Sequence, residues 1–485
     1  MDANSAPVTP APPRTFYLIA VGGTAMAPLA GLLVERGERV LGSDLPLYPP
    51  MSERIAALGI SVLPGFSAAN LPASGLSQVV VGNLAAKDNP ELVEALARGL
   101  PVKSMPETLH DELLLGRHPV VIAGTHGKTT TSALTAWLLQ SAGRAPGYLI
   151  GGEALNFQSP SAVGKGPAFV IEGDEYSTSY ADKGPKFLHY APRTLVLTSV
   201  EFDHADLYED LEAVKRAFRK GVALVPADGL IVANGEDANV LDVLQEARAR
   251  VILYGVADAG DDGPEAGLIA TNVTRDAEGA HFDVIEGGRL LLRAESPLSG
   301  RHNVGNALAA IGAVRGFDVD GAEIAEGLAT FRGVKRRLEE RGVARGVRVV
   351  DDFAHHPTAV ATTLDGARRR YPGSRLWAVF EPRSITAGRA DFEDAYRAAL
   401  SLADAVALAS PFHAARLSRA GGPGVLDVDA LTESFTALGK PAFVAKDADA
   451  IVARLVPLLR AGDTVLVMSS GSFGGLCGKL LAALS

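Results

Sequence analysis

Residues 119–131 read PVVIAGTHGKTTT, and this stretch decides the fold of the middle of the chain. The apolar residues 119–123 predict a short buried strand, and residues 130–142 predict a helix. A strand, a glycine-rich loop and a helix in this order are typical of a phosphate loop, because glycines let backbone N–H groups approach phosphates. Lys128 is then expected to contact the β- and γ-phosphates of a nucleotide, and Thr129 to offer a hydroxyl to Mg²⁺.

This loop is shorter than the usual phosphate loop. The usual loop has four residues between its glycines, whereas Ile122 occupies the position of the first glycine here and the pair is Gly124 and Gly127. The alternative is a plain glycine turn that caps a helix, and the order Gly-Lys-Thr after a strand favours the phosphate loop. Such a loop occurs in kinases, GTPases, motors and ligases, so other residues must choose between them.

The alternation of β-branched runs with Ala- and Leu-rich segments extends over the whole chain. It predicts parallel sheets covered by helices, and 485 residues suggest roughly three domains at about 150 residues each. We predict an α/β protein with a Rossmann-like N-terminal domain (16–117), a central P-loop ATPase-type domain (118–331) and a C-terminal Rossmann-like domain (332–485). Residues 1–15, rich in Pro and Ala, are expected to form a disordered tail.

The predicted elements follow from local patterns of apolar residues. Residues 269–292 alternate and predict an antiparallel excursion within the central domain. The predicted helices are 26–36, 130–142, 303–315 and 322–330. The predicted strands are 16–21, one ending at Asp44, 79–81, 102–104, 119–123, 169–172, 195–198, 230–233, 251–254, 347–351, 376–380, 405–409, 442–444 and 464–468.

Composition excludes several classes of protein. A net charge of -10 argues against general nucleic-acid binding, which needs a basic face, but anionic nucleotides need only local positive charge and helix N-termini. No apolar run is long enough to span a bilayer. Cys477 is the only cysteine, so an intramolecular disulfide is impossible. We expect a cytoplasmic enzyme that acts on small molecules, without nucleic-acid or membrane partners.

Two clusters of polar residues follow predicted strands of the central domain. Glu172 ends the apolar run 168–172, and Asp174 and Glu175 come directly after it. Sheets of α/β proteins place ligand-binding groups at these strand ends, and Mg²⁺ prefers oxygen ligands, although a solvated acidic turn is an equal alternative. His204, among three acidic neighbours in residues 201–208, is a candidate ligand for a metal ion or a phosphate.

Two further clusters lie nearer the C-terminus. Asn303 and Asn306 open a predicted helix, where an Asn is either an N-cap or, with the adjacent His302, a group that hydrogen-bonds a purine edge. Residues 351–357 place two acids and two histidines at a strand end, and such residues are poor core material. Arg336 and Arg337, at the start of the third block, would reach nucleotide phosphates if the domains close.

These motifs occur together, and in this order they resemble those of the Mur ligases of peptidoglycan synthesis. The similarity runs from about residue 15 to the C-terminus and is carried by residues 124–131, Asp203-His204, 302–306 and 352–357. Within the family, the chain is most similar to the branch that attaches a recovered tripeptide to UDP-N-acetylmuramate. The stretches that carry this finer similarity are 42–52, 201–206, 352–356, 381–384 and 468–475.

The resemblance implies an ATP-dependent ligase that works through an acyl phosphate, with Mg²⁺. It would join UDP-N-acetylmuramate to L-alanyl-γ-D-glutamyl-meso-diaminopimelate in peptidoglycan recycling. The implied catalytic residues are Lys128, Glu172 and His204, and the implied metal ligands are Thr129, Glu172 and His204. The implied ATP-binding residues are Gly124, Thr125, His126, Gly127, Lys128, Thr129, Thr130, Asn303, Asn306, Arg337 and Asp352.

The resemblance also assigns the other two substrates to the outer domains. The residues implied for the UDP-sugar are Gly22, Gly23, Thr24, Ser43, Asp44 and Asn83. Those implied for the tripeptide are His355, His356, Arg383 and Ser470. One departure from relatives is Ala20, which stands where they often carry the first glycine of the N-terminal loop. Relatives also have a carbamylated lysine, for which neither Lys215 nor Lys220 is a match.

Other functions account for fewer residues. The nearest alternative is the biosynthetic ligase that adds L-alanine to the same UDP-sugar. A folylpolyglutamate synthetase would not need the N-terminal UDP-type domain. A dinucleotide-dependent oxidoreductase would use Gly22-Gly23 and Asp44 but leaves the phosphate loop unexplained. A non-catalytic nucleotide-binding regulator would not need Asp352 or the histidines beside it.

Overall fold

A computed structural model describes residues 12–47, 51–83, 85–257, 267–276, 279–418 and 424–485. Residues 1–11 of the predicted tail and residues 48–50 of one quoted motif lie outside these ranges. Three α/β blocks, each built on one sheet, follow one another along the chain. The α/β architecture predicted from the alternating pattern is confirmed. No helix in the described part of the chain is long and apolar enough to cross a bilayer.

The N-terminal block is a five-stranded parallel sheet in the order β3-β2-β1-β4-β5. The strands β2 and β3 lie on one side of β1, and β4 and β5 lie on the other, so the strand order reverses between β1 and β4. Such a switch point opens a ligand crevice at the carboxyl ends of the strands. The elements are β1 (Thr15–Ile19), α1 (Met26–Glu35), β2 (Arg39–Asp44), α2 (Met51–Ala57), β3 (Val62–Pro64), β4 (Gln78–Val81), α3 (Pro90–Ala97), β5 (Val102–Ser104) and α4 (Met105–Leu109).

The start of this block corrects the predicted limit of the tail. Thr15 is the first residue of β1. The Arg14 guanidinium donates to the Glu38 carboxylate over 2.6 Å and also pairs with Glu112. Both residues were expected in the disordered tail. They are instead part of the folded block, because Glu38 and Glu112 come from distant positions that the local sequence does not reveal.

The central block is a ten-stranded sheet in the order β15-β14-β13-β12-β11-β10-β6-β9-β7-β8. The pairs β13/β14 and β14/β15 are antiparallel, which confirms the excursion predicted over residues 269–292. The edge pair β7/β8 is also antiparallel. The elements are β6 (His118–Ala123), α5 (Lys128–Ser141), β7 (Gly147–Leu149), β8 (Ser161–Ala162), β9 (Ala168–Gly173), β10 (Thr194–Leu197), α6 (Leu211–Leu224), β11 (Leu230–Asn234), α7 (Ala238–Val243), β12 (Arg250–Val256), β13 (Leu268–Arg275), β14 (Ala280–Glu286), β15 (Arg289–Ser296), α8 (Arg301–Val314) and α9 (Gly321–Ala329).

The C-terminal block is a six-stranded sheet in the order β16-β17-β21-β18-β19-β20, parallel except for the edge pair β16/β17. Three of its parallel strands, residues 376–380, 405–409 and 464–468, are almost entirely apolar, as expected of strands buried on both faces. The elements are β16 (Glu339–Ala344), β17 (Val347–Asp352), α10 (Pro357–Arg370), β18 (Leu376–Phe380), α11 (Glu393–Leu400), β19 (Ala405–Ala409), α12 (Ala414–Leu417), α13 (Val428–Ala437), β20 (Ala442–Ala445), α14 (Ala448–Leu455), β21 (Thr464–Met468) and α15 (Leu476–Leu484).

The hydrophobic cores do not follow the three sheets one by one. Phe16 and Leu29 of the N-terminal block belong to the same buried cluster as Leu149 and Phe169 of the central sheet. Helix α1 packs on β8, where the Ser161 hydroxyl donates to the Pro28 carbonyl. The C-terminal block has its own clusters on the two faces of its sheet. The first two blocks therefore share apolar packing, whereas the third is packed separately.

Candidate active site

A cavity of about 2050 Å³ is lined by loops from all three blocks. Its wall includes Gly23 and Asn83 from the N-terminal block, Lys128 from the central block and Ser470 from the C-terminal block. These residues follow strands β1, β4, β6 and β21 at their carboxyl ends. Because parallel strands end at a common edge, each sheet brings its polar loops to one side. The cavity is large enough to hold more than one small molecule.

The phosphate loop begins where β6 ends and leads directly into α5, as predicted. Gly124 has φ +134° and Gly127 has φ +81°, a region that side-chain-bearing residues rarely adopt. A Cβ on Gly124 would lie 2.1 Å from Thr198 Oγ1. Both glycines are thus required by the backbone, and α5 begins at Lys128 with its N-terminal N–H groups directed at the cavity.

Lys128 lies at the centre of this loop. Its Nζ donates to the Gly124 carbonyl over 2.6 Å and lies 2.9 Å from Glu175 Oε2. Burial acts to lower the pKa of Lys128, but the charges of Glu175 and Asp174 outweigh it and raise that pKa. Lys128 therefore stays charged, and its positive charge is placed where a phosphate chain would be held by the loop.

Glu172 faces the start of α5 from the end of β9. Its Oε2 accepts from the Thr129 hydroxyl over 3.2 Å, and its Oε1 accepts from the Gly151 N–H over 2.6 Å. Burial and the nearby charge of Asp174 raise the pKa of Glu172 to about 7. The structure thus brings together the two oxygen ligands predicted for a metal ion, Thr129 and Glu172.

His204 lies in the neighbouring acidic cluster. Its Nε2 is 3.8 Å from Glu175 Oε1 and 4.0 Å from Asp203 Oδ2, and its ring lies 4.3 Å from that of Tyr176. Its backbone has φ +53°, which His tolerates better than most residues. His204 is therefore linked to Lys128 through Glu175, and it lines the same cavity.

Asp203 connects this cluster to the C-terminal block. Its Oδ1 accepts from the His204 N–H, and its Oδ2 is 3.7 Å from His355 Nε2. Burial opposes ionisation, but His355, His204 and His356 hold the pKa of Asp203 well below its ordinary value. A buried carboxylate between histidines of two blocks gives an electrostatic contact across the cavity.

Helix α8 supplies the residues predicted for adenine. The N-cap of α8 is Gly300, so the interpretation of Asn303 as an N-cap is wrong. The Asn303 Nδ2 instead donates to the Ser299 carbonyl over 2.8 Å. Asn306 donates to Asn303 Oδ1 over 3.2 Å and accepts from the Thr131 hydroxyl over 3.3 Å. Both asparagines line the cavity beside the phosphate loop. That they bind adenine stays a prediction.

His302, next to them, gives a test of pH dependence. Burial lowers the pKa of His302 from 6.5 to about 4; the charge of Asp365 opposes this shift and that of Arg337 adds to it. Below pH 6.5 the unfolded chain binds a proton that the folded chain rejects, so stability falls as the pH drops towards 4. The expected loss between pH 6.5 and 4.5 is at most about 2–3 kcal/mol. His302→Gln should lessen the fall of the thermal midpoint over this range.

The control for this prediction is His281→Gln, which removes an exposed histidine on β14. The control should keep the pH slope of the wild-type midpoint. Equal slopes in His302→Gln and wild type would contradict the assignment of a neutral, buried His302.

The segment that enters the C-terminal block is held by Asp352. The Asp352 carboxylate accepts from the N–H groups of Leu338 and Ala354 and from the Thr363 hydroxyl. Leu338 has φ +48°, so this contact holds a backbone conformation that is otherwise unfavourable. Asp352 thus fixes the entry segment, a role that the sequence did not suggest, and it lines the cavity together with Arg337.

The residues implied for the UDP-sugar are only partly gathered at the cavity. Gly23, Thr24 and Asn83 line it, and the Asp44 carboxylate accepts from the Gly22 N–H over 2.8 Å. Ser43 is fully buried and donates its hydroxyl to Glu91 over 2.5 Å. Its side chain therefore does not face the cavity as expected, because it lies on the opposite face of β2 from Asp44.

The departure at Ala20 is visible in the backbone. Ala20 has φ +61°, so the position where relatives often carry glycine has here the left-handed conformation that glycine adopts without strain. The loop keeps this shape with an alanine, at a cost of about 1–2 kcal/mol.

The residues implied for the peptide divide in the same way. His355 and Ser470 line the cavity. Arg383 packs with its guanidinium 4.2 Å from the centre of the Phe412 ring and reaches Glu381. His356 is buried beside Glu201 and His126, and burial lowers its pKa to about 4. The cavity wall thus contains two of the four residues.

Sequence reasoning missed several residues of the site. Gly151 follows β7, a three-residue strand that no pattern indicated, and a Cβ there would lie 2.9 Å from Glu172 Oε2. Tyr176 carries no motif, yet its ring covers His204. Glu201 lay within a quoted segment but had no role, although its N–H donates to the Thr125 hydroxyl of the phosphate loop. Of these residues, only Gly151 could have been recognised from the sequence, as part of the glycine pair Gly151-Gly152 in the loop after β7.

Comparison with known proteins accounts for all three blocks. Models described as "Mur ligase family, catalytic domain", "Mur ligase middle domain" and "Mur ligase, glutamate ligase domain" match residues 15–115, 122–314 and 336–471. The UDP-N-acetylmuramate–L-alanyl-γ-D-glutamyl-meso-2,6-diaminoheptandioate ligase of Escherichia coli K12 is 38% identical over 472 residues, covering 97% of this chain and 98% of that protein.

Two further relatives bracket the choice of substrate. The crystal structure of a murein peptide ligase from Psychrobacter arcticus has 32% identity and a TM-score of 0.70, covering 97% of this chain and 98% of its own. A UDP-N-acetylmuramate–L-alanine ligase from Burkholderia multivorans is 35% identical over 476 residues, covering 96% of this chain and 97% of that protein. Full-length identity above 30% and family models that match all three blocks lead to one conclusion: the chain belongs to the Mur ligase family.

Proposed function

We propose that the chain joins UDP-N-acetylmuramate to L-alanyl-γ-D-glutamyl-meso-diaminopimelate while ATP is converted to ADP and phosphate, in the recycling of peptidoglycan. Mur ligases form amide bonds at the expense of ATP. The observation that carries the proposal is the cavity in which a phosphate loop, a buried Glu172 and loops of both outer blocks meet. The tripeptide is favoured because the Escherichia coli relative, named for it, is 38% identical, against 35–36% for L-alanine ligases of Burkholderia species.

The proposed reaction begins with activation of a carboxylate. A carboxylate is a poor electrophile, so the lactyl carboxylate of the sugar attacks the γ-phosphate of ATP. The bond from that phosphorus to the β,γ-bridging oxygen breaks, ADP leaves, and the product is an acyl phosphate whose phosphate is a good leaving group. Negative charge spreads over the phosphoryl oxygens, and Lys128 and the N–H groups at the start of α5 stabilise it. The peptide amine then attacks the acyl phosphate, and phosphate leaves.

Mg²⁺ fits the oxygen donors at the start of α5. Thr129 offers a hydroxyl and Glu172 a buried carboxylate 3.2 Å from it, which are ligands that Mg²⁺ prefers. We propose Thr129 and Glu172 as the ligands of Mg²⁺. His204 lies in the adjoining cluster. When bound, Mg²⁺ would neutralise phosphate charge. Asp174 adds a further negative charge beside Glu172.

The amine must lose a proton before it attacks. Of the two histidines considered as its base, His204 lines the cavity and His356 does not. Asp203 lies 4.0 Å from His204 Nε2 and stays ionised, so it would stabilise an imidazolium that forms there. We therefore propose His204 as the base that accepts the proton of the amine. Arg383, which packs on the exposed ring of Phe412, would position the peptide end rather than the reacting amine.

The proposed division of labour follows the three sheets. We propose a UDP-sugar domain at residues 16–117, an ATP domain at 118–331 and a peptide domain at 332–485. Gly22, Gly23, Thr24, Asp44 and Asn83 would hold the UDP-sugar. Because the proposed substrates ATP and UDP-N-acetylmuramate are cytoplasmic metabolites, we propose that the protein is located in the cytoplasm.

The substrate assignment is tested by phosphate release from ATP with Mg²⁺ and UDP-N-acetylmuramate. The tripeptide should stimulate release at least about tenfold more than L-alanine at equal concentration, because a site matched to a longer substrate gains binding energy along it. Stimulation by L-alanine alone would assign the chain to the biosynthetic branch. Release that neither amine stimulates would contradict the UDP-sugar assignment.

A further inference from the structure

His126 of the phosphate loop meets two side chains from other loops, those of Glu201 and His356. Glu201 Oε2 lies 3.6 Å from His126 Nε2 and 3.4 Å from His356 Nδ1. The ligating atoms of the three residues all lie within 4.8 Å of one another. Tetrahedral ligands 2.0–2.2 Å from one ion are separated by about 3.4 Å, so these spacings suit a shared cation.

The nitrogen atoms in this group are buried without hydrogen bonds. Among the residues that the structure describes, none provides a hydrogen-bond partner for His126 Nε2 or for either ring nitrogen of His356. Buried polar atoms without hydrogen-bond partners destabilise a folded protein. His356 is only 5% exposed, so bulk water does not satisfy it. His126 Nε2 and His356 Nδ1 both lie near the Glu201 carboxylate, which indicates a ligand shared by these two nitrogens and that carboxylate.

The carboxylate is held in place by its own partners. The Thr358 hydroxyl donates to Glu201 Oε2 over 2.6 Å, and the Glu201 backbone is tied to Thr125 in both directions. Burial opposes ionisation of Glu201, but His126, Thr358 and His356 lower its pKa to about 2. Hydrogen bonds that orient a ligating carboxylate are a regular feature of metal sites.

We propose that His126, Glu201 and His356 bind a divalent transition-metal cation of the Zn²⁺ type. Two imidazoles and one carboxylate form a donor set that suits Zn²⁺ and its neighbours in the transition series better than Mg²⁺. His126 and Glu201 line the cavity whereas His356 does not, so the open side of the site faces the cavity. A water or a substrate group would complete the coordination there.

The site would join two blocks of the protein. His126 and Glu201 follow strands β6 and β10 of the central sheet, whereas His356 is the N-cap of α10 in the C-terminal block. A cation bound by all three cross-links the blocks beside the contact between the Ala205 N–H and the Thr386 hydroxyl, 3.1 Å apart. It would stabilise the arrangement in which the blocks enclose the cavity.

The test is calorimetric titration of the full-length protein with Zn²⁺ in excess Mg²⁺, which occupies oxygen sites. We expect one Zn²⁺ per chain, and His126→Gln, Glu201→Gln and His356→Gln should each weaken binding at least about tenfold. The matched controls are His281→Gln, on an exposed face, and His204→Gln, in the neighbouring cluster; both should stay within about twofold of wild type. Circular dichroism verifies that each variant is folded.

A second measurement needs no variant. Crystals of the wild-type protein soaked with Zn²⁺ should give an anomalous peak between His126 Nε2, His356 Nδ1 and Glu201 Oε2. The proposal is overturned if the wild type binds no Zn²⁺, if all three variants keep wild-type affinity, or if the peak lies only at His204 and its acidic neighbours.

Discussion

Lys128→Ala is expected to lower kcat for phosphate release by about 10³-fold or more, since removing one donor to transition-state charge already costs 10²–10³-fold. Lys128 also holds the Gly124 carbonyl and pairs with Glu175, so both the charge and the loop geometry are lost. Binding of UDP-N-acetylmuramate should survive, because Gly23, Thr24 and Asn83 belong to another sheet. The measurements are steady-state phosphate release and calorimetric titration with the sugar nucleotide.

The matched control is Lys220→Ala, which removes an exposed lysine from α6 of the same block. It should keep both activity and sugar binding. Since Lys128→Ala leaves Glu175 buried without its partner, folding must be verified by circular dichroism. A folded Lys128→Ala protein that has also lost sugar binding would contradict the assignment of Lys128 to ATP.

Glu172→Gln is expected to lower kcat by about 10²-fold at a fixed Mg²⁺ concentration and to raise the Mg²⁺ concentration needed for half-maximal rate. A bound metal ion contributes several kcal/mol of charge stabilisation, and 1.36 kcal/mol corresponds to a factor of ten. Glutamine keeps the size of the side chain and an oxygen for the Gly151 N–H. The change therefore removes mainly the negative charge.

The control is Glu209→Gln, whose side chain is 79% exposed and paired with Arg216 on the surface of the central block. It should leave the Mg²⁺ dependence unchanged. A Glu172→Gln protein whose rate is low but whose Mg²⁺ dependence equals that of wild type would argue that Glu172 positions the loop without contacting the ion.

Local patterns predicted the parallel strands well. The strands Leu376–Phe380, Ala405–Ala409 and Thr464–Met468 begin and end at the predicted residues, because strands buried on both faces are continuous apolar runs. Two strands that were missed, Val62–Pro64 and Gly147–Leu149, have only three residues each. Their extended form depends on pairing with distant strands, and a period of two residues is not detectable over three positions.

The site was predictable where one motif supplies the chemistry. The phosphate loop is a continuous segment, so its strand, glycines and Lys128 were identified from sequence. The group of His126, Glu201 and His356 was not, because it forms only when two sheets bring separate loops together. Ser43 shows the opposite case, since a residue within a motif is turned away from the cavity by the alternation of its strand.

The hydrophobic cluster shared by the first two blocks bears on how the protein can be cut into pieces and how it emerges from the ribosome. A fragment that ends near residue 117 would leave α1 without β8 and would expose the part of the shared cluster that the central block covers. Such a fragment is expected to aggregate. A fragment that ends near residue 331 keeps the cluster whole, so the natural unit for separate expression is the first two blocks together.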